Sequence, residues 1–136
     1  QTGPPFTVTT QTNTTNAFSA GALRADVLRD PVLSGDQRAL GKWFDTDAFR
    51  EPAQYRFGNQ GVNLLRGDGN ADFDFSILRN FRFTERVRLQ FRAELFNALN
   101  HTNFNVPGRV FGAAGFGIVS SAAAARRIQL GLRLTF

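Results

Sequence analysis

Cysteine and methionine are both absent from the 136 residues. Without Cys, the chain has no disulfide framework, thiolate nucleophile, Cys-ligated zinc or iron–sulfur cluster. Histidine is nearly absent too. With His101 alone, a multi-His metal site or a Ser-His-Asp centre has a single candidate imidazole. No second imidazole or carboxylate pair accompanies it, so a loop position is expected, with no catalytic residue, metal or cofactor. Lys42 is the only lysine among the 16 Lys and Arg. The arginines run from Arg24 to Arg133 with acids interleaved, as at Arg92 and Glu94. The net charge of +5 therefore reads as a solvated or lumen surface, not a basic stripe, and nucleic acid is not an expected partner. Also missing is the run of about 20 apolar residues that a transmembrane helix needs. Residue 1 is Gln, with no charged-then-apolar leader behind it, so the chain reads as a piece of a longer protein.

What remains is rich in Phe and in period-2 alternation. Residues 1–10 hold a short β pattern, with Phe6, Val8 and Thr10 on one side and Thr7 and Thr9 on the other. Residues 11–71 carry no sustained period and are dense in turn formers such as Asp30-Pro31, Ser34-Gly35-Asp36 and Gly67-Asp68-Gly69. A stretch that long is anomalous in a compact small domain and reads as one long loop. Residues 72–97 read as a hairpin. Phe73, Phe75, Ile77, Phe81 and Phe83 share one face; after the Thr84-Glu85-Arg86 turn, Val87, Leu89, Phe91, Ala93 and Leu95 alternate with Arg88, Gln90, Arg92 and Glu94. Residues 98–126 form a second loop. Residues 127–136 are a terminal strand with Ile128, Leu130, Leu132, Leu134 and Phe136 opposite Gln129, Gly131, Arg133 and Thr135.

Strands of about ten residues, short turns at one end and long loops at the other are the asymmetry of outer-membrane barrels. Alternation alone also suits a soluble antiparallel β-sandwich acting as a binding or adhesion module. Long charged groups on the polar faces and Phe near strand ends favour the barrel. Its lumen would then be faced by Arg88, Gln90, Arg92, Glu94, Gln129 and Arg133, and its lipid by the apolar sets. Arg79 falls on the apolar face, where snorkelling to a rim or a local bulge would accommodate it.

Several ordered motifs sharpen this. Phe57-Gly58-Asn59, Leu65-Arg66-Gly67, Asp72-Phe73-Asp74-Phe75-Ser76-Ile77 and Asn80-Phe81 are followed by Arg88-Leu89-Gln90-Phe91-Arg92-Ala93-Glu94-Leu95-Phe96-Asn97, Asn100-His101 and Asn103-Phe104. With Lys42-Trp43-Phe44-Asp45-Thr46 and Phe116-Gly117-Ile118, nearly the whole chain resembles the late part of TonB-dependent outer-membrane receptors. The Oar-like branch, with its carboxypeptidase-regulatory-like domain, is the most similar. Gly67-Asp68-Gly69 departs from the Gly-Pro-Gly more usual there.

The resemblance implies an all-β, C-terminal piece of a barrel of about 22 strands, incomplete with the roughly four strands here. It implies a Gram-negative outer membrane, lipid and the barrel-assembly machinery as partners, and no enzymatic step. Energised uptake of a ligand would proceed through a plug and a TonB-contacting segment outside this chain. Residues 11–71 and 98–126 would face the exterior. Loop aromatics Trp43, Phe44, Phe49 and Tyr55 are the candidate ligand contacts, and Leu132, Leu134 and Phe136 resemble the terminal assembly signal. Arg66-Gly67-Asp68 and the Gly-rich 112–117 stretch lack the context that an adhesion or phosphate site would need.

Overall fold

The computed structural model describes residues 1–17 and 23–136, so residues 18–22 of the long loop lie outside the described residues. The strands are β1 (Pro5–Phe6), β2 (Thr9–Thr10), β3 (Asp26–Val27), β4 (Phe49–Arg50), β5 (Leu65–Arg66), β6 (Phe75–Arg82), β7 (Arg88–Phe96), β8 (Val110–Phe111) and β9 (Arg127–Thr135). One 3-10 turn, Thr46–Ala48, is the only helical element among the described residues, capped by the Asp45 side chain. The chain divides into two compact units: residues 1–69 with 104–122, and residues 70–103 with 123–136.

The second unit is a three-stranded antiparallel sheet in the order β6-β7-β9. Pairing is continuous and one-to-one, from Phe75↔Leu95 to Arg82↔Arg88 and from Arg88↔Thr135 to Phe96↔Arg127. A period of 2 fixes the register, because a one-residue slip would exchange the faces. The turn between β6 and β7 is closed by Phe83 N–H and Thr84 N–H donating to Val87 O at 3.0 and 3.3 Å, and by Val87 N–H donating to Thr84 Oγ1 at 3.0 Å. The outer edges of β6 and β9 are unpaired among the described residues, so the sheet is open.

The first unit is built differently. Its ladders β1-β5, β2-β8 and β3-β4 are two residues long, and β2-β8 is parallel. Its cohesion comes from a core of Phe6, Val8, Ala25, Phe44, Ala48, Phe49 and Leu65, with Trp43, Phe111 and Phe116 packed against it. Phe44 is the hub, with ring centroids 5.9 Å from Phe6, 5.7 Å from Phe49 and 5.2 Å from Phe116. Tilted and edge-on pairs of this kind add favourable quadrupole contacts to the area they bury.

This unit changes two expectations. The single β pattern over residues 6–10 is split into β1 and β2, because the backbone of Val8 is satisfied outside a ladder. The buried Gln60 amide donates to Val8 O at 3.0 Å and accepts from Val8 N–H at 3.1 Å, and Ala25 N–H donates to the same carbonyl at 3.3 Å. The long loop, in turn, holds a packed core despite its lack of periodicity. Glycine permits the close backbone approaches this requires: a Cβ on Gly108 would lie 1.9 Å from Gly115 O, and one on Gly58 2.0 Å from Arg24 O. A sandwich needs a second broad sheet against the first, and every other ladder among the described residues has only two strands.

Candidate functional site

The β6-β7-β9 sheet carries two chemically opposite faces. Cross-strand rows on one face read Phe75-Leu95-Ile128, Ile77-Ala93-Leu130, Arg79-Phe91-Leu132 and Phe81-Leu89-Leu134. Eleven of these twelve positions are apolar, and many stay exposed: Leu130 is 68% and Leu132 72% accessible. A contiguous apolar surface of this kind marks a membrane or partner surface rather than ordinary solvent exposure. Arg79 interrupts it without a bulge, since its pairing with Phe91 is regular. Its guanidinium lies over the Phe81 ring at 5.8 Å, one row nearer the β6-β7 turn, which is the direction snorkelling to a rim requires.

The opposite face is polar apart from Leu78 and Phe96. Arg88, Gln90, Arg92 and Glu94 of β7 lie beside Gln129 and Arg133 of β9, as the alternation predicts. Gln90 Nε2 donates to Asn80 Oδ1 at 3.0 Å, and Arg92 pairs with Glu94 along the strand. Near the turn, Arg82, Arg88 and Arg133 join Asn80, Gln90 and Thr135 around a shallow hollow of about 280 Å³. None of these three arginines has an ion pair among the described residues. The charge along this face is therefore uneven, being uncompensated at the turn end.

Asp72 and Asp74 have no ion pair with an arginine among the described residues. They serve a clasp at the loop end of the same sheet. Asp74 Oδ1 accepts from Asn97 N–H at 2.9 Å, and Asp72 Oδ1 accepts from Asn103 Nδ2 at 2.7 Å. Asn97, left-handed at φ 49° and buried, accepts from His101 N–H and donates to His101 O, both at 2.9 Å. His101 Nδ1 lies 3.0 Å from Asn103 Oδ1. His101 is thus a loop residue with hydrogen-bond partners. The recurrence of Asn just past a strand was the available signal, since Asn tolerates the left-handed region and bonds locally.

The four loop aromatics do not form one group. Phe44 is 1% accessible and Phe49 is also buried, so both rings support the core of the first unit. Tyr55 is 72% exposed on a left-handed backbone at φ 63°. Trp43 is half-buried; its Nε1–H donates to Arg66 O at 3.0 Å, and the Arg38 guanidinium sits 5.7 Å from its ring centre. A cleft of about 150 Å³ opens beside it, lined by Val32, Leu33, Leu64, Arg38 and Arg66 as well. Sequence reading missed these arginines, because Arg38 and Arg66 are far from each other along the chain. At the terminus, Leu132, Leu134 and Phe136 are all exposed, with Phe136 at 93% just beyond β9.

No group of three or more metal-ligating side chains occurs among the described residues. No helix among them is long and apolar enough to cross a membrane. Comparison with curated proteins and with solved structures returns no match. Comparison with protein families matches the outer membrane beta barrel domain over residues 1–129, in accord with an open, all-β sheet that has one apolar and one polar face. The chain belongs to the outer-membrane β-barrel domain family.

Proposed function

We propose that this chain supplies wall and loops to the barrel of a TonB-dependent receptor that takes up a ligand across a Gram-negative outer membrane. The observation that carries the wall assignment is the sheet itself. It has one face apolar across three strands, the other polar, and both edges open to further strands. Nine residues at about 3.3 Å each suit a tilted crossing of the hydrocarbon layer. The apolar rows then meet lipid. Arg88, Gln90, Arg92, Glu94, Gln129 and Arg133 face the lumen, where water and facing strands solvate them.

The chain enters β6, leaves β7 and enters β9 at one end of the sheet, while the other end has only the tight turn. In the proposed orientation the turn is periplasmic and the long connections reach the exterior, where they capture ligand. The ordered motifs over nearly the whole chain support the TonB-dependent branch. No bond is made or broken; a plug and a TonB-contacting segment supplied outside these residues would open the path. Leu132, Leu134 and Phe136 then serve as the strand that the barrel-assembly machinery recognises, since an open edge offers free N–H and C=O groups for strand addition.

A depletion assay tests the uptake reading. Cells with or without the receptor, and with TonB active or disabled, are incubated in the same complex medium, and the solutes left behind are compared. Uptake predicts a solute depleted only when receptor and TonB are both present. Identical media in all four conditions would overturn it while leaving the barrel assignment standing.

A further inference from the structure

The cleft beside Trp43 has a composition that the rest of the first unit lacks. Its walls are apolar, with Val32 49% and Leu64 38% accessible, and its volume is about 150 Å³, a size that accommodates a benzene-sized group. Arg38 and Arg66 both line it, and neither has an ion pair among the described residues. Asp36, the acid nearest to Arg38 in sequence, has its carboxyl held below the usual range by a hydrogen bond with the Ser34 side chain.

Both arginines are also positioned before any ligand arrives. Arg38 Nε donates to Leu33 O at 2.9 Å and stacks on Trp43. Arg66 Nη1 donates to Gly3 O at 3.2 Å, while its own carbonyl accepts from the indole. Each guanidinium has five N–H donors, and these bonds occupy one of them in each case, so most remain available. Fixing a side chain beforehand lowers the ordering cost of binding.

We propose that this cleft binds a small ligand made of an apolar, ring-sized body and a carboxylate. The body lies against Trp43, Val32 and Leu64, and the carboxylate accepts N–H donors from Arg38 and Arg66. This deepens the uptake reading by naming a ligand class, and it rests on that reading only for its place in transport. The pairing of two unpartnered cations with an indole and an apolar wall selects against neutral and cationic relatives of the same shape. An unpaired guanidinium is better neutralised by an oxyanion, and charge-assisted hydrogen bonds are the stronger kind.

Trp43 is the chain's single tryptophan, so its emission reports on the cleft directly. The full-length barrel in detergent, with any tryptophan outside these 136 residues replaced by Phe, is titrated with 3-phenylpropionate and, separately, with its neutral amide. The expected result is a saturable change in Trp43 emission with the acid, and binding of the amide about tenfold or more weaker. Arg38→Gln and Arg66→Gln should each weaken the acid by a similar factor. Equal responses to acid and amide, or no loss in either variant, would overturn the proposal. Should a variant alter the ligand-free emission, the acid-against-amide contrast on the unaltered chain decides alone. Saturable, acid-selective binding without TonB-dependent depletion keeps the site and removes the uptake role; depletion without such binding removes the site and keeps uptake.

Discussion

The two units of this chain solve cohesion in opposite ways. In the unit of residues 1–69 and 104–122, a core of Phe6, Val8, Phe44, Phe49 and Leu65 is buried, and Phe44 touches Phe6, Phe49 and Phe116. Backbone ladders contribute two residues at a time. In the β6-β7-β9 unit the ladders are long and continuous, and the apolar side chains point outward. The first unit is organised as a protein in water is, by removing apolar area from solvent. The second pairs β7 on both sides, keeps the outer edges of β6 and β9 open to further strands and leaves its apolar surface to the surroundings, as a segment of a membrane barrel wall does.

The same kind of substitution should therefore act differently in each unit. Phe44→Ala should cost the first unit about 3–5 kcal/mol, detected as rapid proteolysis and hydrogen exchange within residues 1–69. Phe81→Ala, on the exposed apolar face, should leave the fold of the sheet nearly unchanged. Equal damage from both would erase the contrast.

Charge insertion comes next in size. Leu130→Arg should impair membrane assembly by about 2–4 kcal/mol at the bilayer midplane, and Leu132→Arg by less, because it shares a row with Arg79 nearer the rim. Gln129→Arg and Gln90→Arg, on the polar face, should assemble normally. Heat-modifiable gel mobility of the full barrel reads all four.

Asn97→Ala should be milder, about 1–3 kcal/mol, since it leaves the His101 amide and carbonyl without a partner and puts Ala in a left-handed conformation. Faster amide exchange confined to residues 97–103 would sharpen the assignment of the clasp. The smallest effect concerns Asp36. Its carboxyl titrates below the usual range because of Ser34, so the turn it forms is stabilised at pH above the ordinary carboxylate range. That contribution fades as pH falls through the lowered value. Ser34→Ala should return the Asp36 titration, followed by NMR, toward the ordinary range.

The same contrast decides what was legible in the sequence. The faces of β6, β7 and β9 follow from alternation because one side chain in two meets a single environment along each strand. Even Arg79 lies on the face that alternation gives it. The core of the first unit has no such regularity: Phe6, Ala25, Phe44 and Leu65 come from distant points and converge through bonds such as those of the Gln60 side-chain amide with the Val8 backbone. No window of sequence contains that pattern. For the same reason, Phe44 and Phe49 read as candidate ligand contacts, although both rings are buried. The Arg38, Trp43 and Arg66 cluster was invisible until the chain folded back on itself.

The most direct measurement compares adjacent positions of one strand. Single spin labels at residues 128–135 of β9, in the chain assembled in outer-membrane lipid, are relaxed by oxygen, which partitions into hydrocarbon, and by a water-soluble nickel chelate. Labels replacing Ile128, Leu130, Leu132 and Leu134 should respond to oxygen, and those replacing Gln129, Gly131, Arg133 and Thr135 to the chelate, alternating without a break. Uniform accessibility along β9, or an alternation of the opposite phase, would contradict the assignment of this sheet as barrel wall.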